Sequence, residues 1–157
     1  MPPDGELLTF YDGKSLLGSV PLSGGKAIYT AAALSVKKHT FGAAYPGDSE
    51  IEPSEGKIIQ IVERYATTTT LNSNLNPSQP GEAVTFTMQV TSSGPTVTGK
   101  ATFKDGTKTL ASATLQGGKA TLTTSKLVLG THPITAEYPG DAYNAKSTSP
   151  ILDQVVQ

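Results

Sequence analysis

Cysteine and tryptophan are both absent from this chain of 157 residues. Without cysteine there is neither a disulfide framework nor a thiolate metal site, and stability must come from packing alone. Without tryptophan the strongest aromatic platform for stacking a sugar is missing. Charge is also scarce: charged residues make up 16%, the formal net charge is −1, and Lys37-Lys38 is the only basic pair. That leaves no electrostatic footprint for nucleic acid or an anionic membrane surface, and both are excluded as partners. No apolar run approaches the roughly 20 residues of a membrane-spanning helix, so no membrane insertion is expected. The opening Met1-Pro2-Pro3-Asp4-Gly5 has no basic region and no apolar stretch, so it does not read as a signal peptide. If the protein is secreted, this chain is a piece of a longer one.

What is abundant is Thr, Ser, Gly and Pro, the composition of short strands joined by many turns. An all-β chain follows. Its organisation is set by an internal repeat with a period of 93 residues and no gap. Phe103 falls on Phe10, Asp105-Gly106 on Asp12-Gly13, and Gly117-Gly118-Lys119-Ala120 on Gly24-Gly25-Lys26-Ala27. His132 falls on His39, and Tyr138-Pro139-Gly140-Asp141 on Tyr45-Pro46-Gly47-Asp48. Residues 67–157 therefore read as a complete domain. Residues 1–64 read as an incomplete copy that lacks the first two strands, because Met1 aligns with Gly94.

In the complete copy, "AVTFTMQV" alternates strictly, with Val84, Phe86, Met88 and Val90 on one face. "KATFKDG" ends in a tight turn into "TLASATL", and "KATLTT" is expected to pair back across the Gly117-Gly118 hairpin signal. "THPITAEYPGD" turns at Pro139-Gly140 into "KSTSPILDQVVQ", expected as one last strand. "TTTT" at 67–70, after Tyr65-Ala66, reads as a linker over 65–70 that runs into the first edge strand. About seven short strands in about 90 residues is the pattern of a β-sandwich.

The series "TTTTLNSNLNPSQPGEAVTFTMQVTSS", "GKATFKDG" and "LQGGKATLTTSKLVLGTHPITAEYPGD" resembles the bacterial immunoglobulin-like repeat domains found in tandem in large surface-exposed and secreted proteins. The resemblance implies an immunoglobulin-like β-sandwich and an extracellular or cell-surface location. Two departures concern loops. Such repeats usually carry Asn-Tyr after the Gly-Asp, whereas this chain has Tyr143-Asn144 in one copy and Glu50-Ile51 in the other. Lys37 stands where the second copy has Gly130, so either a left-handed turn there costs about 1 kcal/mol or the turn differs.

Candidate chemistry is thin. His39 and His132 could be imagined with Asp48 or Asp141 and a serine as a hydrolytic triad, but no G-x-S-x-G elbow exists and no catalytic residue is expected. A structural role, with the ring bonding backbone at the end of a sandwich, fits their place in the repeat better. Asp48 and Asp141 are the only metal candidates. One carboxylate per copy falls far short of the six to eight oxygens calcium takes, so turn capping within Tyr-Pro-Gly-Asp is expected, with Gly47 and Gly140 shaping the turn. Tyr45 and Tyr138 lie in phase with apolar neighbours and read as core. Tyr143 and Tyr11 remain as platforms for a glycan. No cofactor is implied.

The leading expectation is a non-catalytic spacer, stalk or adhesion segment whose partners are neighbouring immunoglobulin-like domains. The alternatives are a glycan- or protein-binding module and an accessory domain of a secreted hydrolase. For residues 1–64 the expectation is an incomplete sandwich with open strand edges, which either self-associates or takes strands from another chain.

Overall fold

A computed structural model describes residues 2–157 and divides the chain into two compact units, Met1–Glu63 and Arg64–Gln157. Every regular element among the described residues is a β-strand.

The second unit is a two-layer sandwich. One layer is the three-stranded sheet β5-β6-β9, built from Thr67–Ser73, Val84–Ser92 and Lys119–Thr124. The other joins β8 (Lys108–Thr114), β7 (Lys100–Asp105) and β10 (Gly130–Tyr138). Its far edge is formed by β11 (Ser147–Thr148) and β12 (Leu152–Val156), both antiparallel to β10. The alternation in β6 buries Val84, Phe86, Met88 and Val90 on the inner face, against Phe103, Ile134, Ala136 and Tyr138 from the opposite layer. With two sheets interdigitating, apolar side chains every second residue are removed from water.

The first unit is a single sheet in the order β2-β1-β3-β4, from Leu7–Asp12 (β1), Ser15–Pro21 (β2), Lys38–Tyr45 (β3) and Ser54–Ile61 (β4). β1 and β7 begin 93 residues apart, as do β2 and β8. Even the bulge recurs, at Phe10/Tyr11 and at Phe103/Lys104. The described residues of this unit thus hold the counterpart of one layer of the second unit.

The sequence expectations need four corrections. Residues 65–70 are not a free linker: Thr67–Thr70 pair with β6, and the Thr69 side chain is buried with its hydroxyl on Ser147. β9 does not pair with β8 across Gly117-Gly118. Only Gln116 and Lys119 bridge there, and the chain passes to the other layer, where β9 pairs with β6 over six residues. The counterpart of β9, Lys26–Ala31, is no strand at all, so among the described residues three strands of the repeat, β5, β6 and β9, have no counterpart strand, rather than two. The ladder partner of β9 in the second unit is β6, and the described residues include no counterpart of β6.

The last strand is also broken in two. Tyr138 lies opposite Ser147 but Ile134 lies opposite Leu152, so one extra residue is absorbed between β11 and β12. Ser149 and Pro150 make that bulge. The Ser149 hydroxyl accepts from the Ala136 amide at 3.0 Å and donates to the Pro150 carbonyl at 2.8 Å, while Pro150 has no amide to give a ladder. Their counterparts, Gly56 and Lys57, offer neither device, and β4 stays in one register from Ser54 to Ile61. The consequence is a slip of one residue relative to the second unit, which turns the strand over. Ile58 takes the inner place opposite Phe41 yet is 68% exposed, and Ile59 and Ile61 on the outer face are exposed as well.

The turn at Lys37 differs from its counterpart. Gly130 opens β10 at φ +131°, whereas β3 opens one position later at Lys38, and the only described non-glycine residue with positive φ is Ala33, at +54°.

Candidate functional site

Three constellations gather the polar residues of the repeat. The first is a histidine pinned at both ring nitrogens. His132 Nδ1 lies 2.7 Å from Asp105 Oδ2, and Nε2 lies 2.9 Å from the Val128 carbonyl. His39 repeats this with Asp12 at 2.7 Å and the Ser35 carbonyl at 2.9 Å. Each histidine therefore meets the aspartate of the β1–β2 or β7–β8 turn, not Asp48 or Asp141. The missed signal was available: both aspartates precede their histidines by 27 residues.

Two acceptors facing one imidazole favour the ring that donates from both nitrogens, which is the imidazolium. The Ser35 carbonyl and then Asp12 push His39 upward, with burial and, more weakly, Lys37 opposing. The Val128 carbonyl raises His132, burial works against it, and Asp105 adds to the rise. Asp12 is correspondingly held low by its bond from His39. A raised folded-state value means that the stabilisation is fully present below about pH 6.5 and is lost as pH rises through the raised value. NMR titration of the two imidazole Hε1 resonances should give midpoints above 6.5, and His132→Gln should flatten the decline of stability on the alkaline side. A midpoint at or below 6.5 would contradict this geometry.

The second constellation is the Tyr-Pro-Gly-Asp turn. Asp141 Oδ1 accepts from the Tyr143 and Asn144 amides at 2.9 and 2.8 Å, and Oδ2 from the Thr98 amide and hydroxyl, both at 3.0 Å. Asn144, fully buried, donates its Nδ2 to both oxygens and accepts from Ser92. Burial raises Asp141, but these bonds outweigh it and hold the carboxyl well below the usual range. In the first unit Asp48 accepts from the Glu50 and Ile51 amides, both at 2.7 Å, and from the Tyr45 hydroxyl at 2.8 Å, and it too is held low. The glycine before each aspartate is required by the close return of the chain. At Gly140, φ +88°, a Cβ would lie 2.7 Å from the Asn144 carbonyl; at Gly47, φ +83°, it would lie 2.8 Å from the Pro53 nitrogen.

The two tyrosines of this turn are not equivalent. Tyr45 finds Asp48, whereas Asn144 occupies Asp141, and the Tyr138 hydroxyl is buried with no partner among the described residues. Burial, then the nearby Asp141 carboxylate, push the Tyr138 phenol up to about 12. Since an unmet buried hydroxyl costs about 1–3 kcal/mol, Tyr138→Phe should leave the second unit as stable as before or about 1 kcal/mol more stable in urea unfolding. A clear loss would reveal a partner for the hydroxyl.

The third constellation was not foreseen. Gln154, fully buried, accepts from the Ser73 hydroxyl at 2.7 Å and donates to the Leu75 carbonyl at 2.8 Å, stitching the last strand to the end of β5. Beside it the Ser78 amide reaches the Val155 carbonyl and the Gln157 amide reaches Ser78, each at 3.0 Å, as a parallel bridge.

Asp48 and Asp141 are both occupied by amide and hydroxyl donors of their own turns, and no group of three or more His, Asp or Glu residues suited to a metal exists among the described residues. Of the glycan candidates, Tyr143 is 61% exposed, whereas Tyr11 lies in β1 along a groove of the first unit. No helix among the described residues is long and apolar enough to cross a membrane.

A three-stranded sheet packed on a sheet ordered β8-β7-β10-β12, with the chain crossing between layers at β6–β7, β8–β9 and β9–β10, defines an immunoglobulin-like β-sandwich. The chain belongs to the bacterial Ig-like domain family, group 3, whose model matches residues 69–157. A search of curated proteins gives no match. Among solved structures, the fibronectin(III)-like modules of Clostridium thermocellum CbhA are 18% identical, with 98% of this chain and 80% of that chain covered and a TM-score of 0.46. A chimeric titin Z1Z2 is 15% identical, covering 99% and 83%, with a TM-score of 0.40. The ectodomain of mouse nectin-like molecule 4 is also 15% identical, covering 99% and 55%, with a TM-score of 0.40. The assignment rests on the family match and the sheet topology.

Proposed function

We propose that the chain is a mechanical segment, a spacer or stalk of tandem immunoglobulin-like units in a bacterial surface or secreted protein, with no catalytic role of its own. Families of this fold are typically non-catalytic, and this group commonly occurs in surface or extracellular proteins. The observation that carries the reading is the parallel bridge of Ser78 with Val156, together with that of Tyr65 with Asn144. A pull on the two ends of the second unit loads adjacent parallel segments along their length. Their hydrogen bonds, the Gln154 contacts among them, must then break together rather than one after another.

Pulling the full chain with a single-molecule instrument tests this. The second unit should unfold in one high-force step that releases roughly 300 Å of chain, about 3.4 Å per residue less the folded span. Gln154→Ala should lower that force. Gradual extension at low force, or an unchanged force in the variant, would overturn the reading. A second reading, a glycan- or protein-binding module, is favoured only by exposed Tyr143, and a glycan array should show binding that Tyr143→Ala abolishes if it holds.

A further inference from the structure

The inner face of the first unit's sheet is an apolar groove of about 600 Å³, lined by Phe10, Leu17, Tyr29, Leu34, Phe41 and Ile58 among others. The repeat states what belongs there. Phe103, Ile134 and Ala136, which align with Phe10, Phe41 and Ala43, are fully buried, and they share one core with Phe86 and Met88 of β6. Phe10, Phe41 and Ala43 are only half-buried. A second observation is independent of the groove. In the second unit β9 pairs with β6, from Val84 opposite Thr124 to Gln89 opposite Lys119. The counterpart segment, Lys26–Ala31, runs as no strand beside the groove, and Tyr29 is anchored there by its hydroxyl on the Leu17 carbonyl at 3.2 Å.

We propose that the first unit is a receptor for an incoming antiparallel strand pair of the β5–β6 type, whose inner strand adds main-chain bonds to Lys26–Ala31 and lays alternate apolar side chains into the groove. The groove has one charged lining residue, Lys57, and Thr67–Ser93 carries a single charge, Glu82, so a neutral segment with an apolar face is the matching chemistry. The donor is not the chain's own β5–β6 pair. Taking the chain's own β6, or that of a second copy, would uncover Phe86 and Met88 and dismantle a finished core. The inference does not rest on the mechanical reading, since it concerns a different unit and a different contact.

The probe is a synthetic peptide of residues 67–93 added to the isotope-labelled full chain. Chemical shifts of Phe10, Leu34 and Phe41 should move, the amides of Ala27–Thr30 should gain at least about tenfold protection from exchange, and a peptide with Phe86→Asp and Met88→Asp should do neither. Because a free peptide can aggregate, the same segment is also joined by a Gly/Ser linker ahead of Pro2, and the same shifts and protection are read. Absence of both effects in the peptide and linked forms overturns the proposal. So does equal action by the Asp-bearing peptide. A concentration-dependent dimer of the chain alone, closed through the same groove and not displaced by the peptide, overturns it as well.

Discussion

Phe103→Ala is expected to destabilise the second unit by about 3–5 kcal/mol, whereas the same change 93 residues earlier, Phe10→Ala, should cost the first unit under about 2 kcal/mol. The two side chains hold the same position beside the same bulge. They differ in what lies over them. Phe103 is wholly enclosed by both layers, so its removal leaves a cavity whose walls cannot close. Phe10 is half-buried and stacks only on Tyr29, with centroids 5.5 Å apart. Residue-resolved amide exchange on the full chain, read at β7 and β10 for one unit and at β1 and β3 for the other, separates the two losses. Equal losses would mean that the groove over Phe10 is already covered in solution. With the strand pair of residues 67–93 linked ahead of Pro2, the cost of Phe10→Ala should rise toward that of Phe103→Ala.

What could be read from the residues was local or repeated. Strict alternation placed Val84, Phe86, Met88 and Val90 on the core side of β6, and Lys104-Asp105-Gly106 marked the β7–β8 turn. What could not be read depended on partners distant in sequence. Gly117-Gly118 announces a reversal, but whether the following strand returns to β8 or crosses to β6 is decided by the opposite layer, not by the turn. For Lys26–Ala31 the same logic runs in reverse, since a strand-like sequence with no ladder partner forms no strand. Gln154 and Asn144 look like surface residues in the sequence; their burial follows from acceptors and donors on Ser73, Leu75 and Ser92, more than 50 positions away. Pro150 was a legible warning, because a proline inside a strand pattern marks a bulge, and it separates β11 from β12.

Asp141→Ala should cost the second unit about 3 kcal/mol, because one carboxylate terminates the orphan amides of Thr98, Tyr143 and Asn144 and orients the buried Asn144 side chain. Asp141→Asn keeps the shape but loses the charge and half of the acceptors, so about 1–2 kcal/mol is expected. The pH dependence tells these bonds apart from simple packing. A carboxyl held below its ordinary value contributes stability that is complete above about pH 4 and is lost as pH falls through the folded-state value. Urea midpoints for the wild-type chain should therefore fall as pH drops below about 4, and the Asp141→Asn curve should be flatter over that range. Calcium should leave the wild-type melting temperature unchanged, since both oxygens are already occupied by donors from Thr98, Tyr143 and Asn144. A calcium-dependent rise that Asp141→Ala abolishes would show instead that the turn opens to hold a cation, with this aspartate as a ligand in place of its present hydrogen bonds.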